Sequence, residues 1–69
     1  MKFELGKYYK HNTGEELHIV GIVETTLYGL GYAAETTTTP HELKVVGMRE
    51  DHATNYFEIT KEQWMKNFS

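Results

Sequence analysis

Apolar and polar residues alternate along most of this chain, and the alternation predicts strands rather than helices. The longest apolar run, His18 to Glu35, reads HIVGIVETTLYGLGYAAE and predicts two strands joined by a turn at Thr25-Thr26-Leu27. The first strand spans about Glu16 to Thr25, with Leu17, Ile19, Gly21 and Val23 on one face and His18, Val20, Ile22 and Glu24 on the other. Val20 and Ile22 are too apolar for a solvated face, so they need a cover, and a subunit interface is one. The second strand spans about Tyr28 to Glu35. It sets Tyr28, Leu30, Tyr32 and Ala34 against a face holding only Gly29, Gly31, Ala33 and Glu35. Glycine inside a strand marks a bend, a bulge or the close approach of another group. That bare face is where a backbone or a ligand would lie.

The remaining elements are shorter. Phe3 to Gly6 is an approach segment that tucks Phe3 or Leu5 under the sheet. Lys7 to His11 reads as the first strand and ends on the turn-forming Asn12-Thr13-Gly14. Its Lys-Tyr-Tyr-Lys core resembles a single-strand nucleic-acid platform, but also an edge strand with gatekeeper lysines, which is the simpler reading. Thr36 to His41 is a loop. A fourth strand, Glu42 to Val46, turns Leu43 and Val45 inward, and residues 48–55 are polar and irregular. The fifth, Tyr56 to Ile59, turns Phe57 and Ile59 inward. Thr60-Lys-Glu-Gln63 is a capping box, flanked by Ile59 and Trp64 as a hydrophobic staple. It opens a short helix with the apolar stripe Trp64, Met65 and Phe68. Such a helix has to dock in order to persist. The expectation is a mostly β domain, a five-stranded and strongly bent antiparallel sheet of the SH3-like barrel type, with one short C-terminal helix.

Composition narrows the function. The chain has 69 residues and no cysteine, so it is a single small domain with a thin core and no disulfide staple. A homo-oligomer is one way to supply the missing stability. The net charge of −3 argues against a nucleic-acid partner. No apolar run reaches the length of a membrane span, and the N-terminus lacks a secretory h-region, so the expected location is the cytoplasm. His11, His18, His41 and His52 do not pair at metal-ligand spacing. Glu24 and Glu35 could form a carboxylate pair near the hairpin, but no nucleophile or phosphate-cradling loop accompanies them, so the reading is not an enzyme, with no cofactor. The candidate ligand contacts are the hydroxyls of Thr36 and Thr37 with His41, the lone Arg49, and Tyr28, Gly29 and Gly31 on the bare strand. For each, a plain loop or surface role is the competing reading.

Four segments carry a resemblance: Phe3-x-x-Gly6-Lys7-Tyr8-Tyr9-Lys10-His11, Thr13-Gly14-Glu15, Val23-Glu24-Thr25-Thr26-x-Tyr28-Gly29, and Glu58-Ile59-Thr60-Lys61-Glu62-x-Trp64-Met65-Lys66-Asn67-Phe68-Ser69. Together they resemble small uncharacterised proteins of tailed phages and prophages of Firmicutes, over nearly the whole chain except residues 34–55. The resemblance carries no site residue across. It implies an accessory role in the host cytoplasm, with counter-defence foremost. One form is a small oligomer that sequesters a nucleotide-derived immune signal in pockets between subunits. A second is a protein-binding inhibitor of a host defence protein, and a third is a virion or transcription-associated structural module.

Overall fold

In the computed structural model, residues 3–27, 29–39, 41–47 and 54–68 are described. The chain builds one five-stranded antiparallel sheet and one short helix: β1 (Tyr8–His11), β2 (Glu16–Thr25), β3 (Gly29–Thr36), β4 (Leu43–Gly47), β5 (Tyr56–Ile59) and α1 (Lys61–Met65). A single 3-10 turn, Lys66–Phe68, follows the helix. The strand order is β4-β3-β2-β1-β5, so among the described residues β4 and β5 are the edges. Lys7-Tyr8-Tyr9-Lys10 is therefore not an edge strand, as its lysines suggested. β1 lies between β2 and β5, with Tyr8 opposite both His18 and Ile59.

The inner face carries the core. Phe3 is its centre, buried under the sheet, and its ring meets Tyr9, Tyr32 and Tyr56 edge-on at 4.8, 5.8 and 5.1 Å. Leu17, Ile19 and Ala34 complete the cluster, with Val46 and Tyr56 packed against it. Leu5, the alternative anchor, is exposed. The approach segment is tied down by backbone as well as by its ring. The Tyr32 hydroxyl donates to the Phe3 carbonyl at 3.0 Å, the Glu4 amide donates to the Tyr9 hydroxyl at 2.8 Å, and the Gly6 amide donates to the Ile19 carbonyl at 2.8 Å.

The outer face is covered at one end by the helix. Thr60 caps α1 through both halves of the capping box: its Oγ accepts from the Gln63 amide, and the Gln63 side chain accepts from the Thr60 amide. Trp64 is buried, near Tyr8 and His18, and Ile59 is buried on the other side of the cap. Met65 and Phe68, expected in the buried stripe, are about half exposed, since five residues of helix turn only one side chain onto the sheet.

Pairing corrects the face assignments made from alternation. Ile19 lies opposite Ala34 but Gly21 lies opposite Ala33, so Val20 is an extra, bulged residue. Beyond the bulge the phase of β2 reverses. Ile22 joins the inner side opposite Tyr32, and Gly21 and Val23 move to the outer side opposite Ala33 and Gly31. Leu43 and Val45 do not point inward. They lie opposite Glu35 and Ala33 on the outer side, 64% and 51% exposed, while Val46, opposite Tyr32, reaches the core. In β5 Tyr56 is the inward aromatic, and Phe57 is half exposed.

Candidate functional site

The threonine loop is satisfied from within. Thr36 is buried, and its Oγ lies 2.8 Å from the Thr39 Oγ, 3.2 Å from the Thr38 Oγ, and accepts from the Thr39 amide at 3.1 Å. Thr37 Oγ accepts from the Glu16 amide, and the Thr37 amide donates to the Glu16 carbonyl, which fastens the loop to the start of β2. The Thr38 hydroxyl donates to Glu15, whose carboxylate also lies 3.8 Å from the Lys44 ammonium. Burial, followed by the charge and hydrogen bond of Glu15, pushes the Tyr56 hydroxyl above its usual range. A row of hydroxyls that looked available to a ligand thus holds two strand ends together. The geometry makes Thr36 and Thr37 fold residues, and His41 is an exposed turn residue beside them.

The bare glycine face is also filled. A Cβ placed on Gly31 would sit 2.9 Å from Val45 Cγ1 and 3.0 Å from the Val46 carbonyl oxygen, so the neighbouring strand occupies that space. Gly29 has φ of +73° and closes the β2–β3 turn, a conformation that suits glycine. Tyr28 and Arg49, the other proposed ligand contacts, lie outside the described residues. The structure separates Glu24 from Glu35 and His11 from His18. Glu24 lies opposite Leu30 and Glu35 opposite His18, on different sides of the sheet. His11 packs edge-on against Tyr56 on the inner face, whereas His18 stacks on Tyr8 at 4.3 Å and 15° on the outer face. Among the described residues no group of three or more His, Asp or Glu side chains is placed to hold a metal ion.

Two other surfaces emerge. The first is an open groove of about 450 Å³ between the approach segment and the β5–α1 junction, lined by Gly6, Lys7, Tyr8, Glu58, Thr60 and Lys61 among others. Lys7 is half exposed and lies 3.5 Å from Glu58, a surface pair worth under about 1 kcal/mol. The groove escaped sequence reasoning because its residues come from the two chain ends. Gly6, with φ of +82°, was the available signal of a bend there.

The second surface is the far half of the β2–β3 hairpin. β1 pairs with β2 only up to His18, and β4 pairs with β3 only from Gly31 onward. Among the described residues, 20–27 and 29–30 therefore project beyond both neighbours as an arm. The arm carries Val20, Ile22, Leu27 and Leu30, exposed at 38%, 54%, 82% and 54%. Ile22 and Leu30 are diagonal neighbours on the inner side, since Ile22 pairs with Tyr32 and Glu24 with Leu30. Val20 and Ile22, singled out from sequence as an interface, stand uncovered on this arm among the described residues. No described helix is long and apolar enough to cross a membrane. Compared with family models, curated proteins and solved structures, the chain matches none.

Proposed function

We propose that this chain is a non-enzymatic binding protein that engages another protein through the projecting β2–β3 arm. One observation carries the reading. Four large apolar side chains are exposed on a two-stranded projection, Ile22 and Leu30 as neighbours on its inner side, and its outer β2 edge, past the bulge, has no neighbouring strand among the described residues. Exposed apolar side chains beside an open strand edge suit a partner that buries the side chains and extends the ladder. The resemblance to phage proteins makes a host defence protein the target class, and blocking it the effect. The fold belongs to the same proposal: the bent sheet is an SH3-like barrel left open between the β4 and β5 edges.

The groove favours a second reading, sequestration of a nucleotide-derived anion between Lys7 and Lys61 beside the Tyr8 ring. The two readings separate cleanly. Capture from host lysate is run with wild type, Ile22→Glu/Leu30→Glu and Lys7→Glu/Lys61→Glu, all checked for folding by circular dichroism. The arm reading expects one stoichiometric protein partner kept by the groove variant and lost by the arm variant. A partner retained equally by all three refutes it. A cyclic dinucleotide or ADP-ribose derivative that raises the melting temperature of wild type, but not of the groove variant, establishes the second reading in its place.

A further inference from the structure

We propose that the inner face of the sheet is a peptide-binding site now occupied by the chain's own segment 3–6, and that an extended segment of another protein carrying one aromatic side chain takes its place. This is independent of what the arm binds. The occupant is held as a ligand is held. Of residues 3–7 only Phe3 is buried, and Glu4, Leu5, Gly6 and Lys7 are exposed. The Phe3 ring stands edge-on to tyrosines from three different strands, Tyr9 of β1, Tyr32 of β3 and Tyr56 of β5. One anchoring ring in an aromatic cage, followed by neighbours that face solvent, is how a docked peptide engages its receptor.

The sheet also recognises the segment's main chain. The Tyr32 hydroxyl donates to the Phe3 carbonyl at 3.0 Å, and the Tyr9 hydroxyl accepts from the Glu4 amide at 2.8 Å. That carbonyl and that amide belong to one peptide group, so two hydroxyls from the strands on either side of β2 clamp a single peptide bond by both its polar atoms. A peptide group is the same in every sequence. The clamp therefore fixes where a chain lies and which way it runs, and the cage reads one side chain, an aromatic ring. Both tyrosines are buried, so a vacated clamp would strand two hydroxyls away from water, and another peptide group is the occupant that satisfies them. Exchange leaves the fold in place. Residues 3–6 take part in none of the strand pairings, and a turn closed by the Lys7 amide on the Glu4 carbonyl at 3.2 Å, with Gly6 at φ of +82°, connects them to β1.

The probes are an acetylated and amidated peptide of residues 3–7 and the same peptide with alanine in place of its phenylalanine. In the full chain Phe3→Ala vacates the cage. The phenylalanine peptide is expected to raise the melting temperature of this variant in step with the logarithm of peptide concentration, and the alanine peptide to leave it unchanged. The chain with Phe3 in place reports exchange directly. It has no cysteine, so a spin label on Leu5→Cys, at an exposed position, marks the segment alone. A short tether gives the resident segment an effective concentration in the millimolar range, so the phenylalanine peptide is added at and above that range. It is expected to free the label while the circular dichroism of the sheet stays unchanged. A label that ignores the phenylalanine peptide, or that responds equally to both peptides, overturns the proposal whether or not Phe3→Ala folds.

Discussion

Two glycines on facing strands show how differently the same residue can be used. At Gly31 an added methyl would meet Val45 Cγ1 at 2.9 Å and the Val46 carbonyl at 3.0 Å. The side chain could turn away, but the carbonyl belongs to the ladder. Gly31→Ala is therefore expected to cost about 1–3 kcal/mol, as overpacking does. Gly21 has nothing within 4 Å of the same position and no left-handed backbone, so Gly21→Ala is expected to stabilise by about 0.4–1 kcal/mol through the unfolded state. Urea denaturation of the pair checks both signs. The tyrosines give a pH signature. Burial raises Tyr9, and burial together with Glu15 raises Tyr56. The unfolded chain loses these protons near pH ~10, while the folded chain holds them longer. The stability tied to them is thus intact below about pH 10 and falls as pH rises through the raised values. Tyr9→Phe/Tyr56→Phe is expected to flatten that alkaline decline, read as urea midpoints across a pH series.

Among the elements, the helix depends most on one residue. α1 has five residues and buries only Trp64, so it has no stability apart from its cap and its docking. Thr60→Ala removes the acceptor for the Gln63 amide and is expected to cost about 1 kcal/mol. The loss is local: hydrogen exchange should quicken in α1 and leave the β2–β3 ladder unchanged. The capping box was legible in sequence because it is a contact among four consecutive residues. The existence of all five strands was legible too, from alternation and turn chemistry. What alternation could not carry was anything that depends on pairing. The bulge at Val20 reverses the face of Ile22 and Val23, and only the register with β3 reveals it. The edge positions of β4 and β5, and the interior position of β1, follow from strand order, which no local pattern encodes. The neighbours of Thr36 and Gly31 were out of reach for the same reason. Hydroxyls and a bare strand look vacant until Thr39 and Val45 from other segments are set beside them. Val20 and Ile22 were legible as large apolar residues because hydrophobicity is local to the residue, and the structure leaves both exposed.

For the molecule as a whole, the thin core makes association measurable as stability. A chain of 69 residues has a folding free energy of roughly 3–10 kcal/mol, and ten of its large apolar side chains are exposed among the described residues. Anything that binds only the folded state adds to this by mass action. Were a second copy to bind the arm, a tenfold rise in concentration well above the dissociation constant would add about 1.4 kcal/mol per dimer, or about 0.7 per chain. For a domain of this size 1 kcal/mol moves the melting temperature by about 4–8 °C, so each decade of concentration would raise it by about 3–6 °C. A chain whose arm takes a host protein is expected by itself to melt at one temperature regardless of concentration. Scanning calorimetry over two decades of concentration reads the difference. A rise with concentration that Ile22→Glu/Leu30→Glu abolishes would leave the arm's apolar side chains engaged by a second copy instead of a host protein.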